Sequence, residues 1–173
     1  MTIFTLTKLE NPTMTLDARE FRDSLGAFAT GITVVTTTAP DGAKVGCTAN
    51  SFSSVSLEPP LVMWAIARNA NSFDAFYKAK DFAIHILHSG QEDISRLFAT
   101  KDADKFGQID SSEGRAGVPV LNDYSVRFEC STEHLYEGGD HVIIVGRVHE
   151  MCNANKEPLG FYKGQYAKID VSK

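Results

Sequence analysis

Cysteine is scarce and scattered. Cys47, Cys130 and Cys152 stand far apart in a chain of 173 residues, and no CxxC pair occurs. That spacing argues against a disulfide framework and a structural zinc site. It suits thiols used as small core residues in a reducing compartment, so a cytoplasmic location is expected. Positive charge is also in short supply: 17 Lys and Arg face 22 Asp and Glu, for a net charge of −5. No basic stripe is left to neutralise phosphates, and nucleic-acid binding is not expected. No apolar run approaches the roughly 20 residues that span a bilayer, so no membrane association is expected. Met1 to Glu10 has one lysine and no apolar stretch, so it does not read as a signal peptide.

Several catalytic signatures are missing too. No GxGxxG follows a strand, and Gly26 to Gly31 has the spacing of a phosphate loop without its Lys-Ser/Thr. There is no GxSxG elbow. His85 and His88 are three apart on a predicted strand and point to opposite faces, so no metal site is expected. His134 beside Glu133 and His149 beside Glu150 read as surface or edge residues.

What is present is an ordinary globular composition, 43% hydrophobic and 23% charged, which suits one domain over 16–170 after a loose N-terminal arm over 1–15. Asp17 with Glu20 has capping-box spacing and opens a predicted helix carrying Phe21, Leu25 and Phe28 on one face, ending at Gly31. The β-branched run 32–38 predicts a strand. Pro40-Asp41-Gly42 is a turn, so 44–52 is expected to return antiparallel. Leu61 to Ala67 predicts a third strand. Asn71 or Ser72 caps a short helix with Phe73, Phe76 and Tyr77 on one side, and 82–87 is a strand. Ser89 with Glu92 is a second capping box, ahead of Ile94, Leu97 and Phe98. Residues 101–117 read as a long surface loop, a frequent lid or binding segment. Tyr124 to Tyr136 and Val142 to Met151 are longer strands joined at Gly138-Gly139-Asp140, and 158–169 is expected to close the sheet. About seven strands against three short helices argue for an antiparallel β-barrel with helices packed outside it.

Two segments carry potential chemistry. Gly46 to Ser56 is dense in hydroxyl and amide side chains beside the apolar strand 61–67, and buried polar groups need partners. It reads either as a solvated hairpin end stopped by Pro59-Pro60 or as a strand edge that hydrogen-bonds a flat heterocycle. Small residues such as Ala49, Ser51, Ser53 and Ser54 let backbone approach a ring closely. The second segment is Gly139-Asp140-His141. Gly139 and Asp140 suit a tight turn. His141 shares a face with Ile143 and Val145, as a satisfied core residue or a ligand-facing one. Arg68 to Ser72 is a third candidate: a cation and capping groups at a helix start form an anion site, although plain capping explains Asn71 and Ser72 equally well.

The ordered set of segments resembles the flavin reductase family, the reductase components of two-component flavin-dependent monooxygenases. The resemblance rests on Phe21-Arg22, on Gly26 to Gly31 leading into Thr33-Val34-Val35-Thr36, on Gly46, Thr48 to Phe52 and Ser54-Val55-Ser56, and on Pro59-Pro60. Later matches are Phe98-Ala99, Asp104-Lys105-Phe106, Glu129-Cys130, Gly139-Asp140-His141, Gly146-Arg147-Val148, Pro158-Leu159, Tyr162 and Tyr166.

The resemblance implies an FMN-binding split β-barrel of Greek-key type, usually a homodimer with flavin near the subunit interface. It implies FMN or FAD as flavin, NADH (or NADPH) as hydride donor, and a separate monooxygenase that receives reduced flavin by diffusion. Thr48, Ala49, Asn50, Ser51 and Ser54 would line the isoalloxazine ring. Arg68, Asn71 and Ser72 would sit toward the phosphate, with Lys105 and Phe106 closing over it. His141 would position the nicotinamide. Two alternatives would suit the same barrel: an electron carrier that retains its flavin, or a flavoprotein reductase of another small substrate such as a corrinoid.

Overall fold

The structure is a computed structural model that describes residues 16–169; the expected N-terminal arm lies outside the described residues. Helix α1 (Ala18–Leu25) begins as its capping residue dictates, with Asp17 Oδ1 accepting from the backbone N–H groups of Arg19 and Glu20, both at 2.9 Å. It ends earlier than the sequence suggests. Gly26 bonds back to Arg22, and Thr30–Gly31 is a short strand, β1. The apolar face is real but bare: Phe21, Leu25 and Phe28 are 50%, 60% and 79% exposed.

Strands β2 (Thr33–Thr38) and β3 (Lys44–Ala49) pair antiparallel, with Thr36 opposite Gly46. Their turn places Gly42 at φ +86°. β4 (Ser53–Leu57), unforeseen because it is polar and serine-rich, pairs with β5 (Pro60–Ala67) through a bulge between Ser54 and Ser56. Helix α2 (Phe73–Lys78) and strand β6 (Asp81–Ile86) follow, then α3 (Glu92–Ala99). The expected Ser89 capping box does not form. Ser89 N–H is committed to Glu157 O, and Gln91 occupies the cap position while bonding His88 and Asp123.

The 101–117 region is more ordered than a loop. It contains 3-10 turns at Phe106–Gln108 and Arg115–Gly117, and β7 (Ser111–Glu113), which pairs with β8 (Pro119–Leu121). The long hairpin of β9 (Val126–Gly138) and β10 (His141–Asn153) turns through Gly139 at φ +72°. β11 (Leu159–Tyr162) and β12 (Gln165–Lys168) end the described chain.

The main sheet runs β3-β2-β6-β9-β10-β5-β4, and every pairing is antiparallel. The 158–169 segment does not close this sheet; β1, β11 and β12 form a separate three-stranded one. Alternation along β5 turns Val62, Trp64 and Ile66 inward, where they meet Val35, Phe76, Phe82, Ile84, Val142 and Ile144. Full burial of such side chains contributes roughly 1.5–3 kcal/mol each. A second cluster, Ile32, Val34, Leu87, Phe98, Leu121 and Leu159, lies under α3 and the small sheet.

His85, read from the sequence only as a strand residue, is wholly buried between these layers. Its Nε2 accepts from Leu121 N–H at 3.1 Å, which leaves the proton on Nδ1 to bond Val34 O, also at 3.1 Å. Burial pushes its pKa down to about 3. No helix among the described residues is long and apolar enough to cross a membrane.

Candidate functional site

The two ends of the main sheet approach each other where chain beyond β3 meets β5. There Ser51 Oγ accepts from Ala65 N–H at 2.9 Å and donates to Ala65 O at 3.0 Å. One hydroxyl thus stands in for a missing strand contact and holds the barrel mouth. Three cavities meet around this point. The first, about 590 Å³, lies between 44–48 of β3, the 70–72 turn before α2, and the 98–106 segment. The second, about 260 Å³, is lined by 47–51, 64–67, Ala70 and His141. Cys47, Thr48 and Ala70 belong to both. The third, about 970 Å³, shares Asn50 and Ser51 with the second and opens under the bare face of α1, with Phe161 and Lys163.

Gly46 at the floor of the first cavity has no substitute. A Cβ there would lie 2.5 Å from the Phe98 ring. The Lys105 ammonium donates to Gly46 O and Phe98 O, each at 2.9 Å. Because Gly46 O faces out from β3, strand alternation sends the backbone of Thr48 to the same open edge. Lys105 has no carboxylate among its bonded partners, and burial lowers its pKa. A half-buried cation with a remaining N–H is a ready anion site. Phe106 stacks edge-on against Phe98 at 5.5 Å, and Lys44 sits 6.0 Å over its ring.

Most of the candidate residues converge here. Thr48 lines both smaller cavities, its Oγ1 donating to Ser95 O at 2.6 Å. Ala49, Asn50 and Ser51 line the second cavity. The Ser51 hydroxyl is already committed to Ala65, so what it offers a ligand is mainly backbone and small size. Asn71 and Ser72 line the first cavity; Asn71 Nδ2 reaches Asp102 Oδ1 at 3.2 Å. Ser72 holds the cap position of α2 but makes no side-chain capping bond. His141 lines the second cavity, and its Nδ1 lies 2.7 Å from Asp140 Oδ1. The bond to His141 holds the Asp140 carboxyl below its usual range. An ionised partner at Nδ1 keeps the neutral ring's proton there and leaves Nε2 as an acceptor.

Two candidates stand apart. Ser54 is exposed on β4 and borders none of the three cavities. Arg68 also borders none of them. Its guanidinium pairs with Glu137 and lies 5.6 Å over the Phe73 ring, while its N–H bonds Asp140 O at 2.9 Å. Cys47, where the two smaller cavities join, is pushed up to about 11 by burial, with Ser72 and Lys105 pulling the other way. It is a neutral thiol at physiological pH and no nucleophile. The sequence reading overlooked Trp64, which lines the second cavity, and the third cavity altogether. Alternation on β5 was the available signal for Trp64.

Residues 25–170 match the model of the flavin reductase like domain. The chain belongs to this family. It is 44% identical over 150 residues to a probable flavin reductase of Rhizobium meliloti, covering 87% of this chain and 48% of that protein. Over 153 residues it is 42% identical to the FMN reductase (NADH) SmoA of Agrobacterium fabrum, covering 88% and 87% of the two chains. The NADH:FAD oxidoreductase SgcE6 of Streptomyces globisporus, solved with NAD and FAD fragments, superposes with a TM-score of 0.84 at 35% identity. That match covers 89% of this chain and 93% of the other. The chain spans about half the length of two of its curated relatives, 48% in each case. The flavin reductase domain is therefore an antiparallel split barrel with short outer helices, the fold expected from the sequence.

Proposed function

We propose that this flavin reductase domain, residues 16–170 as one unit, takes hydride from NADH to FMN or FAD and passes reduced flavin to a separate monooxygenase. The observation that carries the reading is the joined pair of smaller cavities, with the Lys105 cation at one end and the Asp140–His141 pair at the other. A flat ring with an anionic tail has the matching shape and charge order. The fit is supported by the donor set: the outward backbone of β3 at Thr48, the small residues Ala49, Ala65, Ala67 and Ala70, and a cation with no carboxylate of its own.

Bound flavin supplies a hydride acceptor for the nicotinamide, and the protein's part is orientation and electrostatics. Ala49, Asn50 and Ser51 would hold the ring edge through backbone, and Thr48 through backbone and hydroxyl. Lys105, Asn71 and Ser72 would hold the phosphate end, with Phe106 closing over it. His141, oriented by Asp140, would accept a hydrogen bond from the nicotinamide amide and so help to orient it. Arg68 lies outside the three cavities, but its exposed pair with Glu137 is weak enough to be exchanged for a nucleotide phosphate. Ser54 is given no role.

NADH is favoured because relatives named FMN reductase (NADH) and NADH:FAD oxidoreductase share this chain's fold and sequence. The monooxygenase partner is supported by a relative named as the reductase component of a flavin-dependent trigonelline monooxygenase, 41% identical over 148 residues. A homodimer is supported by the third cavity, whose bare α1 wall a second copy would cover. We place the protein in the cytoplasm with its soluble nucleotides.

The test is steady-state NADH oxidation with free FMN or FAD as sole acceptor, repeated with NADPH. Turnover with either flavin at catalytic protein levels is expected, faster with NADH. No turnover with any of the four combinations would sink the reading.

A further inference from the structure

Among the described residues, two buried side-chain polar atoms lack a hydrogen-bond partner: Thr30 Oγ1 and Trp64 Nε1. Their residues line adjoining cavities. Trp64 lines the second cavity and Thr30 the third, and Asn50 and Ser51 border both. Trp64 is the chain's one tryptophan and is 1% exposed. Its ring is pinned edge-on by Phe76 at 4.9 Å and flanked by Phe82 at 6.3 Å. A phenylalanine would serve that packing without burying a donor. A buried N–H without an acceptor is costly, and such groups are rare where nothing is meant to meet them.

Three polar atoms of the second cavity's wall are engaged elsewhere. Ser51 Oγ is committed to Ala65, Thr48 Oγ1 donates to Ser95 O, and His141 Nδ1 faces Asp140. We infer that the Trp64 indole N–H is a ligand-directed donor: it meets an acceptor atom, a carbonyl oxygen or unprotonated ring nitrogen, on the heterocycle seated in the second cavity. Trp64 is thereby a specificity-determining residue of the flavin site, and the inference rests on the proposed flavin reading. The group it selects is the polar, pyrimidine-like edge of the ring. The dimethylbenzene edge has no acceptor to offer.

The full chain provides its own probe, because a single tryptophan gives a single indole N–H resonance. Titration of the wild type with FMN, and separately FAD, is expected to move that resonance downfield as the flavin binds. Trp64→Phe keeps the ring and deletes the donor. It is expected to raise the flavin dissociation constant about fivefold to tenfold, the usual effect of one hydrogen bond, while the flavin-free variant melts at or above the wild-type temperature. A W64F protein that binds flavin as tightly as wild type overturns the inference. Should W64F not fold, an indole resonance unmoved at saturating flavin overturns it, and a downfield shift upholds it. Wild-type protein that binds neither flavin overturns the flavin reading and this inference together, so the two failures are told apart by the first titration.

Discussion

The seam under the β7–β8 hairpin and the wall of the joined cavities are built from similar residues and treat polar groups in opposite ways. At the seam every buried group is answered. His85 bonds Val34 and Leu121 with its two nitrogens. Glu129, 4% exposed, accepts from the Arg115 backbone N–H and pairs with Arg127 at 3.0 Å. Thr36 donates to Pro119 O. Along the cavity wall the answers are incomplete: Trp64 keeps an unpartnered N–H, and Lys105 hydrogen-bonds only carbonyl oxygens. Satisfied polar groups fasten a fold, whereas unsatisfied ones mark where a ligand completes it.

The largest effect expected from this contrast is at the seam. His85→Phe leaves Leu121 N–H unpaired in the core, takes the side-chain bond from Val34 O, and is expected to cost about 2 kcal/mol of stability, with flavin affinity unchanged. Thermal or denaturant unfolding checks it, and an intact midpoint would break the comparison.

The acid side of the stability profile reports the same residue. Above pH 6.5 His85 is neutral in both folded and unfolded chains. Between pH 6.5 and about 3 the unfolded chain takes up a proton that the folded one refuses. Stability is then lost as pH falls, by at most about 1.4 kcal/mol per unit, and H85F is expected to lack that part of the slope.

Lys105→Met tests the opposite behaviour. Removing a desolvated cation is expected to leave the melting temperature nearly unchanged and to raise the flavin dissociation constant about tenfold. A large loss of stability with unchanged affinity would make Lys105 a seam-type residue.

The smallest effect belongs to Asp140→Asn. The carboxylate acts through His141, so about a twofold to fivefold rise in the KM for NADH is expected, with kcat and flavin affinity close to wild type. A pH profile of kcat/KM that shifts in D140N relative to wild type separates orientation of the imidazole from mere turn formation.

Much of this was legible in the residues. Asp17 announced its helix, β-branched and alternating runs announced their strands, and the polar stretch from Gly46 to Ser51 did become a cavity wall. The errors have one origin. Periodicity in Phe21, Leu25 and Phe28 reports an apolar face and is silent about what covers it. The capping pattern of Ser89 was defeated by a backbone bond to Glu157, and the polar β4 was invisible because its pairing with β5, not its own propensity, makes it a strand.

Elements that depend on neighbours a few residues away follow from the sequence alone: caps, turns at Gly42 and Gly139, strand faces, and the small side chains from Ala49 to Ser51. Long-range packing alone bridges Ser51 to Ala65, brings Lys105 to Gly46 across 59 residues, and joins 158–169 to β1 in its own sheet. It also turned Arg68 toward Glu137 and left Trp64 without a partner. Local patterns record which face of an element is buried. Which distant group meets that face is settled by the summed free energy of packing and hydrogen bonding over the whole chain.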